Sequence, residues 1–216
     1  MVQVSASLLA ADFARLGGEV IRAEHAGVNS FHFDMMDGHY VPNIALAPDH
    51  LTALRPYTHL PFHVHLELAN PNEVLEKFRS LDANLIIVCK DTLANPEKTF
   101  ACIRGKGAKI GLSLNPDEPL EETYRLFPQL DLLMIMGVFP GFGGQSMHPN
   151  TVSRIAQARQ MSRSMGIPLL IAVDGGINLE NASALVKAGA DMLTIGTALF
   201  QASHIRKFIT RLKDVV

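Results

Sequence analysis

Three short stretches of this 216-residue chain carry polar groups where a buried strand should carry none. In Phe31-His32-Phe33-Asp34-Met35-Met36-Asp37-Gly38, His32 and Asp34 are two positions apart and so share one face of a strand among apolar neighbours. An imidazole and a carboxylate on one inward face are costly unless something pairs them, and a bound cation would do that. Downstream, Phe62-His63-Val64-His65-Leu66-Glu67 sets His63, His65 and Glu67 on one face. Ile171-Ala172-Val173-Asp174-Gly175-Gly176 again ends an apolar run with an acid and then glycine. His32, Asp34, His65 and Asp174 form a two-imidazole, two-carboxylate set, which suits one divalent ion such as zinc, iron, manganese or cobalt. Singly, each residue also has an ordinary structural explanation as a hydrogen-bonded strand residue; the joint pattern favours the metal. His63 lies deeper on the same face and is expected in the core or supporting a ligand. His25, His39, His50, His59, His148 and His204 fall in predicted helices or loops and are expected at the surface.

Glycines make a second constellation. Gly141, Gly143 and Gly144 lie in Pro140-Gly141-Phe142-Gly143-Gly144-Gln145, Gly175-Gly176 follow the late acid, and Gly196-Thr197 follow the last apolar run. Glycine lets backbone N–H groups approach an anion closely, so these clusters predict a phosphate site. No lysine or arginine lies within them, which leaves the binding mostly to backbone amides.

These residues need a scaffold that brings distant segments together. Apolar runs at 3–9, 30–36, 62–68, 85–89, 109–114, 132–138, 169–173 and 192–195 alternate with amphipathic segments at 13–26, 71–81, 96–106, 119–127, 151–165, 179–187 and 202–212. A short helix around 49–54, within 42–56, completes eight strand–helix units. This alternation predicts a parallel sheet with helices outside, and its length suits one α/β domain over 1–216, a (β/α)8 TIM barrel of the usual roughly 200–250 residues. A doubly wound open sheet is the alternative, but it usually opens with a glycine-rich turn, and here Ala10-Ala11-Asp12 follows the first strand. In a barrel the active residues gather at the carboxyl ends of strands, where the last loops commonly hold phosphate. The ends here offer Ser7, the four proposed ligands, Met36, Glu67, Met134, Met136 and the glycines.

Bulk composition narrows the partners. An apolar fraction of 48% supports a sizeable core, and a formal net charge of −2 gives no basic field for nucleic acid. No apolar run approaches the roughly 20 residues of a membrane span, and the first residues lack a signal-peptide pattern. Cys89 and Cys102 match neither a disulfide framework nor a zinc motif, which predicts reduced thiols in a cytoplasmic protein.

The motifs Ser7-Leu8-Leu9-Ala10-Ala11-Asp12-Phe13, His32 through Asn43, His65-Leu66, Pro140 through Gln145 and Val173-Asp174-Gly175-Gly176-Ile177 resemble the ribulose-phosphate 3-epimerase family along the whole chain. The resemblance implies a (β/α)8 barrel that inverts carbon 3 of a phosphorylated ketose, with His32, Asp34, His65 and Asp174 holding one divalent metal ion. It implies that Asp34 and Asp174 are the acid/base pair on opposite faces of the substrate. Ser7, Gly141, Gly143, Gly144, Gly175, Gly176, Gly196 and Thr197 would contact substrate or phosphate, Met36 and Met136 would wall the site, and the protein would self-associate as a homo-oligomer. Several positions depart from the family pattern. Glu67 stands where a third active-site methionine is usual, Cys89 where a histidine is common, Asp91 where a glutamate is common, Gly137 where a threonine is usual, and Phe139 in place of a polar residue. None removes a proposed ligand or acid. They bear on the substrate rather than the reaction: a ketose phosphate of the ribulose 5-phosphate/xylulose 5-phosphate type or a related ketohexose 6-phosphate. Two other readings stand beside this one: a Schiff-base aldolase, for which Lys90 is the lysine near a strand end, and a phosphosugar-binding or regulatory barrel without turnover.

Overall fold

Alternate residues of each strand serve two different cores, and that division organises the molecule. In the computed structural model, which describes residues 2–77 and 82–216, the strands are β1 (Gln3–Ser7), β2 (Ser30–Asp37), β3 (Ile44–Ala45), β4 (Phe62–Glu67), β5 (Leu85–Cys89), β6 (Lys109–Leu114), β7 (Leu132–Met136), β8 (Leu170–Asp174) and β9 (Met192–Ile195). All but β3 pair in parallel, in the order β1-β9-β8-β7-β6-β5-β4-β2, and β1 also pairs with β2, so the sheet closes into an eight-stranded barrel. Outward side chains such as Val4, Phe31, Phe33, Phe62, Val64, Ile86, Ile110, Leu133 and Ile171 form the main core against the helices. Inward ones such as Leu85, Ile87, Leu132, Met134, Ala172 and Met192 fill the barrel. The period of two that separates these sets is the strand pleat itself.

The surrounding helices are α1 (Leu16–Ala26), α2 (Pro48–Leu54), α3 (Pro71–Lys77), α4 (Pro96–Gly105), α5 (Thr151–Ser164), α6 (Ala182–Ala188), α7 (Thr197–Phe200) and α8 (Ile205–Val215). Local chemistry sets several of their ends. Asn95 accepts from the Lys98 N–H at 2.9 Å ahead of Pro96, a side-chain cap followed by proline in the first turn. Helix α8 buries Ile205, Ile209 and Leu212, and its cations reach the end of α1: Arg206 donates to His25 O at 2.9 Å and Lys213 to Gly27 O at 3.1 Å.

The expected (β/α)8 barrel is the observed fold, with local differences. The segment predicted as a helix at 119–127 is a 3-10 helix over Glu121–Gln129, where Pro128 supplies no N–H and its ring crowds the preceding turn. The predicted helix 13–26 begins as a 3-10 turn over Phe13–Arg15, and residues 78–81 of the predicted helix 71–81 lie outside the described residues. Short elements that were not expected include β3, antiparallel to the end of β2, α7 directly after Gly196, and 3-10 turns at Leu8–Ala10, Arg55–Tyr57 and Lys90–Thr92. Among the described residues no helix is long and apolar enough to cross a membrane.

Candidate active site

The strands deliver the predicted residues to one end of the barrel interior. Parallel pairing sets Asp34 beside His65 and Met36 beside Glu67, while Asp174 ends β8 beside Met136. His32 Nε2 lies 3.0 Å from Asp34 Oδ1 and 3.3 Å from Asp174 Oδ2, and His65 Nδ1 lies 3.4 Å from Asp34 Oδ1. One ligand atom from each of His32, Asp34, His65 and Asp174 falls within 4.8 Å of the others. Ser7 donates its hydroxyl to Asp34 Oδ2 at 2.9 Å, which fixes that carboxylate's orientation.

The donor set suits a divalent ion for a further reason. His65 Nε2 lies 2.9 Å from Ser113 Oγ and 3.6 Å from Cys89 Sγ, and both neighbours direct their own protons to carbonyls, Ser113 to Val88 O and Cys89 to Leu66 O. With those protons directed to the carbonyls, the ring donates from Nε2 and its Nδ1 lone pair faces the cluster. That atom is buried with no hydrogen-bond partner among the described residues. A ligand histidine is commonly held this way by its far nitrogen.

Without an ion, the charges pair among themselves. Burial disfavours a charge on His32, but the Asp34 and Asp174 carboxylates raise its pKa from 6.5 to about 10. Burial raises Asp34 too, yet the charge and hydrogen bond of His32, with His65 beside it, hold it well below the usual carboxylate range. Because the folded pKa of His32 is raised, its contribution to stability is full below its unfolded value of 6.5 and is lost as pH climbs through about 10. Ion binding must displace that proton. Metal uptake by the metal-free protein is therefore expected to release about one proton per ion at neutral pH and to tighten as pH rises. Calorimetry in buffers of different ionisation enthalpy measures this directly, and a heat independent of buffer would contradict it.

Above the cluster lies a cavity of about 250 Å³. Ser7, Asp34, Met36, Glu67, Met136 and Asp174 line it, as do Gly141, Gly143, Gly144, Gly175, Gly176, Gly196 and Thr197, with apolar neighbours such as Leu9, Val138 and Ile177. Every residue named from the sequence as substrate-contacting is among those that line it. Gly176 has φ +70°, and a Cβ there would meet the Met147 backbone at 2.7 Å, so the close turn admits only glycine. Met134 lies below the cavity in the barrel core.

The departures occupy different places. Glu67 is 2% exposed, with Oε1 at 3.3 Å from His65 Nδ1 and Oε2 without a partner among the described residues. Burial and the nearby Asp34 and Asp174 carboxylates raise its pKa well above the usual value. Cys89 is buried against His65, and burial, with Glu67 nearby, pushes its thiol pKa up, so it is no thiolate nucleophile. Asp91 joins a rim network, accepting from Tyr40 at 3.0 Å and from Asn115 at 3.1 Å. Phe139 is half-exposed at the cavity rim. Gly137 has no room for a side chain, since a Cβ would fall 2.4 Å from Gly175 O. Its N–H donates to Asp174 O at 2.6 Å and its carbonyl accepts from the His148 N–H at 2.7 Å.

Other sequence candidates lie elsewhere. His63 lines a separate cavity with Gln3 and Lys109 at the opposite end of the barrel, where burial and the His32 and Lys109 charges push its pKa down to about 3. His25, His39, His59 and His204 are exposed, while His50 and His148 are half-buried. Lys90 is paired with Glu118 and Glu122, no lysine among the described residues lines the active cavity, and the Glu122 hydrogen bond raises the Lys90 pKa, opposite to what a Schiff-base amine needs. Sequence reasoning missed Ser113 and Asn43. The period-two alternation of β6 could have found Ser113; Asn43, whose side chain donates to Gly141 O at 2.7 Å, lies in a loop with no period to read.

Comparison with known proteins agrees over nearly the full chain. A model of the ribulose-phosphate 3 epimerase family matches residues 3–200. Ribulose-phosphate 3-epimerase of Bacillus subtilis strain 168 is 37% identical over 214 residues, covering 99% of each chain. The enzyme of that name from Escherichia coli K12 is 35% identical over 212 residues, covering 98% of this chain and 94% of its own. Among solved structures, KGPDC from Streptococcus mutans aligns with a TM-score of 0.73 at 10% identity, over 100% of this chain and 97% of its own. Phosphoribosyl anthranilate isomerase from Thermus thermophilus aligns at 0.70 and 15% identity, over 100% of both chains. These distant structural likenesses speak to the barrel alone.

Proposed function

The chain belongs to the ribulose-phosphate 3-epimerase family and is a sugar-phosphate 3-epimerase, an isomerase; from that premise we propose how its residues divide the reaction. The substrate is a ketose phosphate of the pentulose 5-phosphate or hexulose 6-phosphate class. Asp34 and Asp174 are the two acid/base groups, and His32 and His65 join them in holding one divalent ion, whether zinc, iron, manganese or cobalt. The observation that carries this reading is the meeting of both carboxylates at one imidazole, His32 Nε2, at 3.0 and 3.3 Å.

Inversion beside a carbonyl needs a proton removed from one face of carbon 3 and another returned to the opposite face. Asp34 and Asp174 come from strands three apart around the barrel, so they reach a carbon between them from different sides. One carboxylate takes the proton, the electron pair passes to the carbonyl oxygen as an enediolate, and the carboxyl group of the other protonates the opposite face. A divalent ion held by the four side chains supplies positive charge beside the oxygens where negative charge develops. Ser7 holds Asp34 in place, and Met36 and Met136 give the cavity apolar walls that limit water. Backbone N–H groups of the glycine loops, with Thr197, receive the phosphate.

The test is a panel of ribulose 5-phosphate, xylulose 5-phosphate and ketohexose 6-phosphates incubated with enzyme in deuterium oxide. At least one is expected to be inverted at carbon 3 with deuterium entering there and nowhere else. Inversion without solvent deuterium would sink the two-acid scheme.

A further inference from the structure

We propose that Glu67 is a specificity-determining residue that hydrogen bonds the carbon 1 hydroxyl of the ketose, an inference that rests on the orientation of substrate given above. Strand β4, which carries Glu67, lies four strands from β8 in either direction around the barrel, so it is diametrically opposite Gly175 and Gly176. A ketose phosphate held with its phosphate at the glycine loops and carbon 3 between Asp34 and Asp174 points its other end toward β4. In a 2-ketose that end is the carbon 1 hydroxymethyl group.

Glu67 meets that end as a built contact. The residue is 2% exposed, it lines the cavity, and Oε1 is held beside His65 while Oε2 has no partner among the described residues. A buried carboxyl oxygen left bare is costly, and a ligand hydroxyl that satisfies it recovers the cost. In either protonation state the group keeps an oxygen able to accept from a hydroxyl. Glu67 is not among the four residues whose ligand atoms converge within 4.8 Å, and it meets that cluster only at His65. A methionine would offer the hydroxyl only a weak acceptor.

The experiment compares D-xylulose 5-phosphate with its 1-deoxy analogue, using calorimetric binding to metal-loaded wild type and to Glu67→Met. Methionine is close to glutamate in volume, so the variant is expected to fold. Wild type should bind the hydroxylated sugar at least about 30-fold more tightly than the 1-deoxy analogue, since a buried oxygen left unsatisfied costs roughly that factor. Glu67→Met should bring the ratio below about 3-fold while binding as many ions as wild type. A wild-type ratio near one, a ratio unchanged in the variant, or a variant that loses its ion would each overturn the proposal. Deuterium uptake at carbon 3, read on the same wild-type sample, reports the proposed reaction independently: its absence beside an intact binding ratio would remove the reaction and leave the hydroxyl contact standing.

Discussion

Asparagine at position 34 or 174 is expected to lower epimerisation by roughly 10²- to 10⁴-fold, because each change deletes one of the two proposed proton-transfer groups and that is the usual worth of general acid–base catalysis. The two losses should also differ in kind. A variant that keeps one acid can still remove and return a proton on that acid's face. Asp34→Asn should therefore retain slow hydrogen exchange with one carbon 3 epimer, and Asp174→Asn with the other. Exchange followed by NMR on each pure epimer separates the cases. Metal content must be measured alongside, since both acids also belong to the converging donor set. Near-normal turnover in either variant, or the same epimer exchanging in both, would mean that the carboxylates do not divide the faces between them.

Removing the ion should be at least as severe. A protein-bound divalent metal can lower the pKa of water from about 15.7 to about 7, or roughly 12 kcal/mol, which bounds what such a charge could contribute beside a developing enediolate. Exhaustive chelation is expected to reduce turnover by at least about 10⁴-fold, with recovery on adding back one equivalent of a suitable divalent ion. The stripped protein should remain folded at neutral pH, because protonated His32 then pairs with Asp34 and Asp174. Circular dichroism and a thermal scan on the same samples distinguish loss of chemistry from loss of fold. Full activity in protein shown by elemental analysis to be free of metal would contradict the proposed role.

The four converging side chains were legible because burial is expensive for charge. A histidine and an aspartate two apart in an apolar strand announce themselves, and the same logic found His65 and Asp174. The barrel was legible through the alternation of short apolar runs with amphipathic segments. What the sequence hid was of another kind. Ser113 is an ordinary small residue whose importance lies in which way its proton points, a property of the folded neighbours Val88 and His65. Strand β3 is two residues long, too short for any period to show. Gly137 differed from the expected threonine for a reason no composition reveals: the Gly175 carbonyl occupies the space.

That crowded glycine bears on how such an enzyme can diverge. Through Gly137, the backbone entering the loop at 139–145 is joined to the carbonyl of Asp174 and to His148. A change that shifts this loop to suit another phosphate-bearing tail also disturbs the backbone of a proposed proton carrier. Across the barrel, Glu67 Oε2 has no such tie among the described residues. The two ends of the cavity would therefore be unequally evolvable: the proposed phosphate end is tied through Gly137 to the backbone of a proposed acid, whereas at the β4 end the free oxygen of Glu67 can be exchanged for another side chain without moving that backbone.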